Sequence, residues 1–252
     1  MLQMFSFLKT DPSGKFTELE GRMGRLLPSN GPGGLRFEPG VSATLFEALL
    51  KQFKESGSFK ETTVVESGDF YFKNRVRGTV VLAPHQPQDD FRFMRKQAVR
   101  HVDLTCAAAG QSAAASALRI SLKKEIPLDV TKGRDVGLYS GVRVKQRTSF
   151  SYKMWSFDFT RVWEGSDPAD ARTLRENPSE PKPPDTYEIE IEFVPTAPEA
   201  ASAHDDYLAV SMLEKLGDLV RREEHLPAHA PLTFQIASEQ IFDESGQPIH
   251  KQ

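Results

Sequence analysis

Glu188, Glu190 and Glu192 alternate with Ile189 and Ile191 late in the chain, and Glu18 and Glu20 flank Leu19 near its start. A β-strand puts residues i, i+2 and i+4 on one face. As strands, these runs each present a row of carboxylates, with Arg22 in line with the first row and Phe16 as its exception. Same-face neighbours lie about 7 Å apart, and two carboxylates at that spacing repel by about 2.4 kcal/mol at an effective dielectric near 20. Water or cations must offset that cost. One Glu-x-Glu alone suits a solvated edge strand. Here a basic run (Arg143, Lys145, Arg147) and an acidic-hydroxyl run (Ser156, Asp158, Thr160) occur in the same chain. Together they describe a cavity with one acidic and one basic wall. Hard oxygen ligands in that number suit Mg²⁺ or Mn²⁺, and Lys and Arg opposite them suit phosphate oxygens. That combination is the apparatus of phosphoryl transfer to water.

Competing chemistries find little support. There is no Gly-x-x-x-x-Gly-Lys-Ser/Thr loop and no Gly-x-Ser-x-Gly elbow. Cys106 is the only cysteine, which excludes an intrachain disulfide and a multi-cysteine zinc site and reads as a small buried hydrophobe. Of the scattered histidines only His225 and His229 fall four apart, and Pro227 between them argues against a helical metal pair. The formal net charge of −3 argues against coating a duplex and for gripping an end or a phosphate group. No apolar run approaches the roughly 18 residues of a membrane span. The apolar opening, Met1 to Leu8, is too short for a signal-peptide core and has Lys9 behind it. A nuclear or cytoplasmic protein with no membrane contact is expected.

These side chains need a scaffold. Segments near 15–22, 68–83, 91–105, 117–126, 141–152, 154–163, 187–194 and 232–242 are β-rich or alternating. Two segments carry helical periodicity: 42–55, with Ser42 as N-cap and Gly57 as stop, and 205–224, ended by Pro227. Each apolar stripe is expected to pack on the sheet. The Pro-rich stretch 164–185 reads as a mobile surface insertion, because strands continue on both sides. About eight strands with two clear helices suggest a closed antiparallel barrel in an α+β single domain spanning 1–252. In the basic, aromatic-interleaved segment Phe91 to His101, Lys96 and Arg100 share parity, so either could enter the barrel. Trp155 and Trp163 fall on the outward parity, as core residues.

Five motifs, spanning about residues 15–195, resemble the triphosphate tunnel metalloenzymes. They are Thr17-Glu18-Leu19-Glu20-Gly21-Arg22, Arg119 to Pro127, Lys145-Gln146-Arg147, Asp158-Phe159-Thr160 and Glu188 to Glu192. Within that group they look most like the fungal and protozoal RNA 5′-triphosphatases of mRNA capping, the compact trypanosomatid type in particular. The resemblance implies an eight-stranded antiparallel tunnel with a hydrophilic interior and helices outside. It implies Glu18, Glu20 and Glu192 as metal ligands and Glu190 and Asp158 as holders of metal-bound or attacking waters. It further implies Glu188 as a partner of basic neighbours and Glu125 as an essential tunnel glutamate. Lys145, Arg147 and either Arg75 or Arg77 would bind phosphate. The chain departs from the family at Ser156, where an arginine is common; either Lys153 or Arg161 supplies that charge, or this strand aligns differently with the family motif.

The expected reaction is removal of the γ-phosphate from the 5′-triphosphate end of nascent RNA, with metal-dependent nucleotide hydrolysis as a side activity. A small-molecule triphosphatase (inorganic triphosphate, thiamine triphosphate or nucleotides) and a non-catalytic polyphosphate- or RNA-end-binding barrel are the alternatives. A capping guanylyltransferase is a possible partner. The absence of a long extension before the first motif suggests a monomer.

Overall fold

The computed structural model describes residues 1–10, 17–30, 34–72, 76–82, 91–108, 116–129, 138–166, 182–243, 245 and 247–249. Arg75, Phe16 and the middle of the expected insertion, 167–181, lie outside the described residues.

Helix α1 (Leu2–Thr10) is followed by β1 (Thr17–Pro28), β2 (Leu35–Pro39), α2 (Ala43–Glu55), β3 (Lys60–Phe72) and β4 (Val76–Val81). Then come β5 (Arg92–Ala108), β6 (Ala117–Leu128), β7 (Tyr139–Tyr152), β8 (Trp155–Gly165) and β9 (Thr186–Phe193). The chain continues with α3 (Asp205–Glu223), β10 (Leu232–Phe242) and the short β11 (Pro248–Ile249). Antiparallel pairing runs β5-β4-β3-β7-β8-β9-β1, and β6 joins β1 back to β5. Those eight strands close a barrel, which leaves no free edge around the ring. β2 extends the sheet beside β1, and β10 and β11 extend it beside β5.

The parity of the strands fills both sides of the wall. Leu19, Met23, Phe157, Phe159, Ile189, Ile191 and Phe193 face outward and are buried under the helices. α2 delivers Leu45, Phe46, Leu49 and Leu50 to that layer, and α3 delivers Leu208, Met212, Leu216 and Val220. The Ser42 hydroxyl caps α2 by accepting from the Leu45 N–H at 3.2 Å. α3 lies so close to β1 that a Cβ at Gly21 would stand 2.7 Å from the Leu216 Cδ1. A second apolar cluster (Phe70, Val80, Val142, Val144, Trp163) covers β3, β4, β7 and β8, so both tryptophans are core residues. The charged parity is left to face inward.

Several elements differ from the sequence expectation. The segment 68–83 is not one strand but the end of β3 and β4, paired in a hairpin. β3 begins at Lys60, eight residues before the expected start, in a polar Thr/Val-rich stretch that pairs along β7. β2 was not expected. Neither was α1, whose Met4, Phe5 and Leu8 are buried, with Phe5 edge-on to Phe193 at 5.4 Å. α2 ends at Glu55, as expected, with Ser56 as its C-cap.

Candidate active site

β1 carries Glu18, Glu20 and Arg22 into the barrel. Glu20 stands directly across from Glu192 on β9 and from Ser121 on β6; Arg22 stands across from Glu190, and Glu190 across from Asp158 on β8. Directly opposed residues have Cβ atoms about 5 Å apart, so the two glutamate strands form one acidic wall. The wall is enclosed: Glu20, Asp158, Glu188 and Glu190 are all at most 6% exposed.

Most of these carboxylates are held by cations. Arg22 reaches Glu190 at 2.7 Å and Glu20 at 2.9 Å, and Lys123 also pairs with Glu20. Arg147 donates from separate nitrogens to Asp158 (2.8 Å), Glu190 (3.0 Å) and the Thr160 hydroxyl (3.0 Å). Arg143 donates to Glu188 at 2.9 Å and lies 3.0 Å from Glu164. Lys145 meets Asp69 at 2.6 Å, and Asp69 also accepts from the Thr79 hydroxyl at 2.7 Å. Glu125 is paired with Lys96 and, at 3.1 Å, with Arg77.

The electrostatic consequences separate the acidic residues. Burial alone would raise Glu190, yet Arg22 and Arg147 outweigh it and hold the carboxyl down at about 2. Glu20 is likewise buried but held well below the ordinary range by Arg22, Lys123 and Lys96. Asp69 lies at about 2 because Lys145 and Arg77 overcome its burial. Glu192 goes the other way. Burial, reinforced by Glu18, Asp158, Glu20 and Glu190, pushes it up to about 8, and among the described residues no cation pairs with it. Glu18 rises to about 7 through burial and its neighbours Glu125 and Glu20, with Lys96, at 3.6 Å, opposing.

Buried nitrogens tell the complementary story. Among the described residues Arg22 Nε, Arg77 Nε, Arg143 Nε and His101 Nε2 are buried without a hydrogen bond. The Arg22 and Arg143 atoms lie near carboxylates but with unfavourable angles. A buried polar atom left without a partner costs roughly 1–3 kcal/mol. The interior is thus built for something that supplies oxygen acceptors to its arginines and positive charge to Glu192.

A divalent cation fits that demand. Glu192, Glu20 and Glu18 are hard oxygen donors on adjacent positions of one wall. As placed, no three such side chains among the described residues converge on one point, because Glu20 is turned to Arg22 and Lys123 and Glu18 to Lys96.

The structure gathers the expected residues that it describes and decides between Lys96 and Arg100. Arg77 reaches the interior beside Glu125 and Asp69, whereas Arg75 lies outside the described residues. Lys96 enters, but a bulge between Ala98 and Arg100 breaks the parity of β5, and Arg100 turns to Glu239. One expectation is corrected. Neither Lys153 nor Arg161 replaces the arginine that Ser156 lacks: Lys153 sits in a turn over the Tyr152 ring, and Arg161 points outward to Glu47 at 2.7 Å. Arg147, from the neighbouring strand, supplies the charge at Asp158, and the Ser156 hydroxyl donates to Asp158 at 3.1 Å. Sequence reasoning missed Asp69, Thr79 and Lys123 as interior residues. It placed Arg22 and Arg143 on the right faces without giving them roles.

A closed antiparallel tunnel lined by opposed carboxylates and cations, with apolar layers outside, defines a triphosphate-tunnel hydrolase. The family model described as mRNA capping enzyme, beta chain, matches residues 74–222, more than half of the chain. The chain belongs to that family, the metal-dependent RNA triphosphatases of mRNA capping. The match begins after β1, so Glu18 and Glu20 enter the site through the register of β1 against β9. Among solved structures the S. pombe Pct1 RNA triphosphatase is similar at 19% identity and a TM-score of 0.59, covering 88% of this chain and 90% of that one. Pct1 in complex with the Spt5 CTD is similar at 18% identity and a TM-score of 0.58, covering 88% and 91%. At that identity the likeness is one of fold. No curated protein matches the sequence.

Proposed function

We propose that the chain cleaves the β–γ bond of the 5′-triphosphate end of nascent RNA, giving a 5′-diphosphate end and inorganic phosphate. One observation carries this reading: Glu192, which no cation pairs among the described residues, shares an enclosed interior with the ladder Arg143, Lys145, Arg147. The first wants positive charge and the second wants anionic oxygens, and a metal-bound triphosphate satisfies both.

Mg²⁺ or Mn²⁺ would be held by Glu18, Glu20 and Glu192 and would supply Lewis-acid polarisation of the phosphate. The chain's own residues do the rest. Lys145, Arg147 and Arg77 neutralise oxygens of the transferring group, in a site where water is largely excluded and such contacts are strengthened. Arg147 helps hold Glu190 ionised and also binds Asp158, and the two carboxylates orient an attacking water through their remaining lone pairs. Glu188 fixes Arg143, Glu125 fixes Arg77 and Lys96, and Asp69 fixes Lys145. Catalysis here is mainly positioning and charge neutralisation. In this reading the chain is one domain and a monomer, works in the nucleus, hands its product to a capping guanylyltransferase, and hydrolyses free nucleotides as a side activity.

The test is phosphate release by the purified protein from 5′-triphosphate RNA, inorganic triphosphate, thiamine triphosphate and ATP, each with Mg²⁺, with Mn²⁺ and with chelator. A higher kcat/KM on RNA supports the reading. A preference for a small triphosphate moves the tunnel to small-molecule metabolism, and binding without turnover makes it a polyphosphate- or RNA-end-binding barrel.

A further inference from the structure

β1 pairs with β9 only over Leu19–Arg22 and turns to β2 from Gly24 onward. Beyond Arg22 the two barrel strands therefore part. The segment after β2 bridges the gap, with the Gly40 N–H donating to the Met23 carbonyl (3.1 Å) and the Val41 N–H to the Tyr187 carbonyl (2.9 Å). At this rim a cleft of about 730 Å³ opens, lined by Arg143 and Tyr71 on the tunnel side and by Arg25, Arg36 and Glu38 on the outer side. That volume is ordinary for a small-molecule site.

The charges around the cleft are unequally committed. Asp185 is taken by Lys182 (2.7 Å) and the Glu164 N–H (2.8 Å), Glu164 by Arg143 (3.0 Å), and Glu223 by the Ser42 hydroxyl (2.7 Å). Among the described residues Arg36 has only an exposed contact with Glu38, at 3.5 Å. Arg25, across β1–β2 from Glu38, has no ion pair among the described residues. On the outer side the loosely held cations are Arg25 and Arg36, set beside Glu38, while Glu223 on the opposite side keeps its charge under a neutral donor.

The cleft also lies at the end of the basic ladder. Arg143, Lys145 and Arg147 succeed one another on one face of β7 at steps of about 7 Å. Arg143 lines the cleft, and Arg147 holds Asp158 and Glu190. A triphosphate with its γ-phosphate at Arg147 spans about one step of the ladder, so its α-phosphate falls near Lys145 and its nucleoside points towards Arg143.

The geometry points to this cleft as the seat of the 5′-terminal nucleoside, with Arg25 and Arg36 meeting the first phosphodiester of the RNA. This inference rests on the proposed RNA substrate and deepens it. Arg25 and Arg36 touch only what lies beyond the triphosphate, so they raise affinity for polynucleotide over small triphosphates. The contact is with backbone charge and carries no base preference.

The test uses the full chain carrying Arg25→Glu and Arg36→Glu together. KM for a 5′-triphosphate oligonucleotide should rise about tenfold and its salt dependence should flatten, as loss of one or two phosphate contacts does. KM and kcat for inorganic triphosphate should stay within about twofold, which also shows the variant folded. Arg25→Lys with Arg36→Lys should restore most of the RNA affinity. An equal loss on both substrates, or no change on RNA, overturns the cleft assignment. Failure of the parent reading looks different: wild-type protein would release phosphate from inorganic triphosphate and not from RNA. Binding of 3′-labelled 5′-triphosphate RNA to wild type and variant then decides the cleft, since equal affinities overturn it as well.

Discussion

Glu190 and Glu192 are the same residue type, two apart on one strand and one face, yet the fold gives them opposite surroundings. Glu190 lies between Arg22 and Arg147 and titrates at about 2. Glu192 faces Glu18, Asp158 and Glu20 and titrates at about 8. The difference comes from the neighbouring strands. Across from Glu190 stand Arg22 and Asp158, the latter already tied to Arg147; across from Glu192 stand Glu20 and Ser156. An alternating Glu strand in a closed barrel thus makes two kinds of carboxylate. One completes an ion-pair network and holds cations in place. The other has no cation paired with it among the described residues, so its ionised form is disfavoured until an incoming cation answers it.

Breaking the comparison gives the largest effects. Glu192→Ala should reduce phosphate release by at least about a hundredfold, the scale of losing a major charge-stabilising group. It should leave the melting temperature unchanged or slightly higher, because a repelled carboxylate is removed; Glu18→Ala and Glu20→Ala should also abolish release. A Glu192→Ala protein that melts well below wild type would place Glu192 in the structural network instead.

Glu190→Ala should lower activity and, unlike Glu192→Ala, also stability. It strands Arg22 and Arg147, and removal of one partner from a buried pair costs roughly 3–5 kcal/mol, readable from urea denaturation. An unchanged midpoint would mean the arginines re-pair without it.

A smaller effect sharpens the picture on β5. His101 is half-buried beside Arg119 and Lys123, and desolvation first, then those cations, drive it down to about 3. In the unfolded chain it protonates below about 6.5, and in the folded protein only near 3. The unfolded state therefore binds more protons in that window, and stability falls as pH drops from 6.5 towards 3. At pH 4.5 the contribution of this histidine is at most about 2.7 kcal/mol. His101→Gln should flatten the acid limb of a stability–pH curve by part of that amount; a superimposable curve would exclude His101 as its source.

The smallest expected effect lies outside the tunnel. Gly21→Val would push a branched side chain into Leu216 of α3. Overpacking of this kind costs roughly 1–3 kcal/mol, and the loss should appear in thermal melts while kcat/KM of the folded fraction holds.

Much of this was legible in the sequence because a strand has a period of two. Glu188 to Glu192, Glu18 to Glu20 and Lys145 to Arg147 each announce a charged face by alternation alone, and Ser42 announces its helix by capping. What stayed hidden depends on partners or on broken periodicity. Asp69 follows Gly68, a pairing that resembles a turn, and its interior place appears only through Lys145 and Thr79. The bulge in β5 decides between Lys96 and Arg100, and alternation cannot foresee it. The charge missing at Ser156 comes from Arg147 on the adjacent strand, which local spacing does not reveal. β2 is too short and too flanked by Pro and Gly to carry a pattern of its own.

The most direct measurement of the central claim follows labelled γ-phosphate released from 5′-triphosphate RNA by wild-type and Glu192→Ala proteins, each with and without Mg²⁺ or Mn²⁺. The account predicts release by the wild type only when metal is present, and none by the variant under any condition. Metal-independent release, or full activity in a folded Glu192→Ala protein, would contradict it.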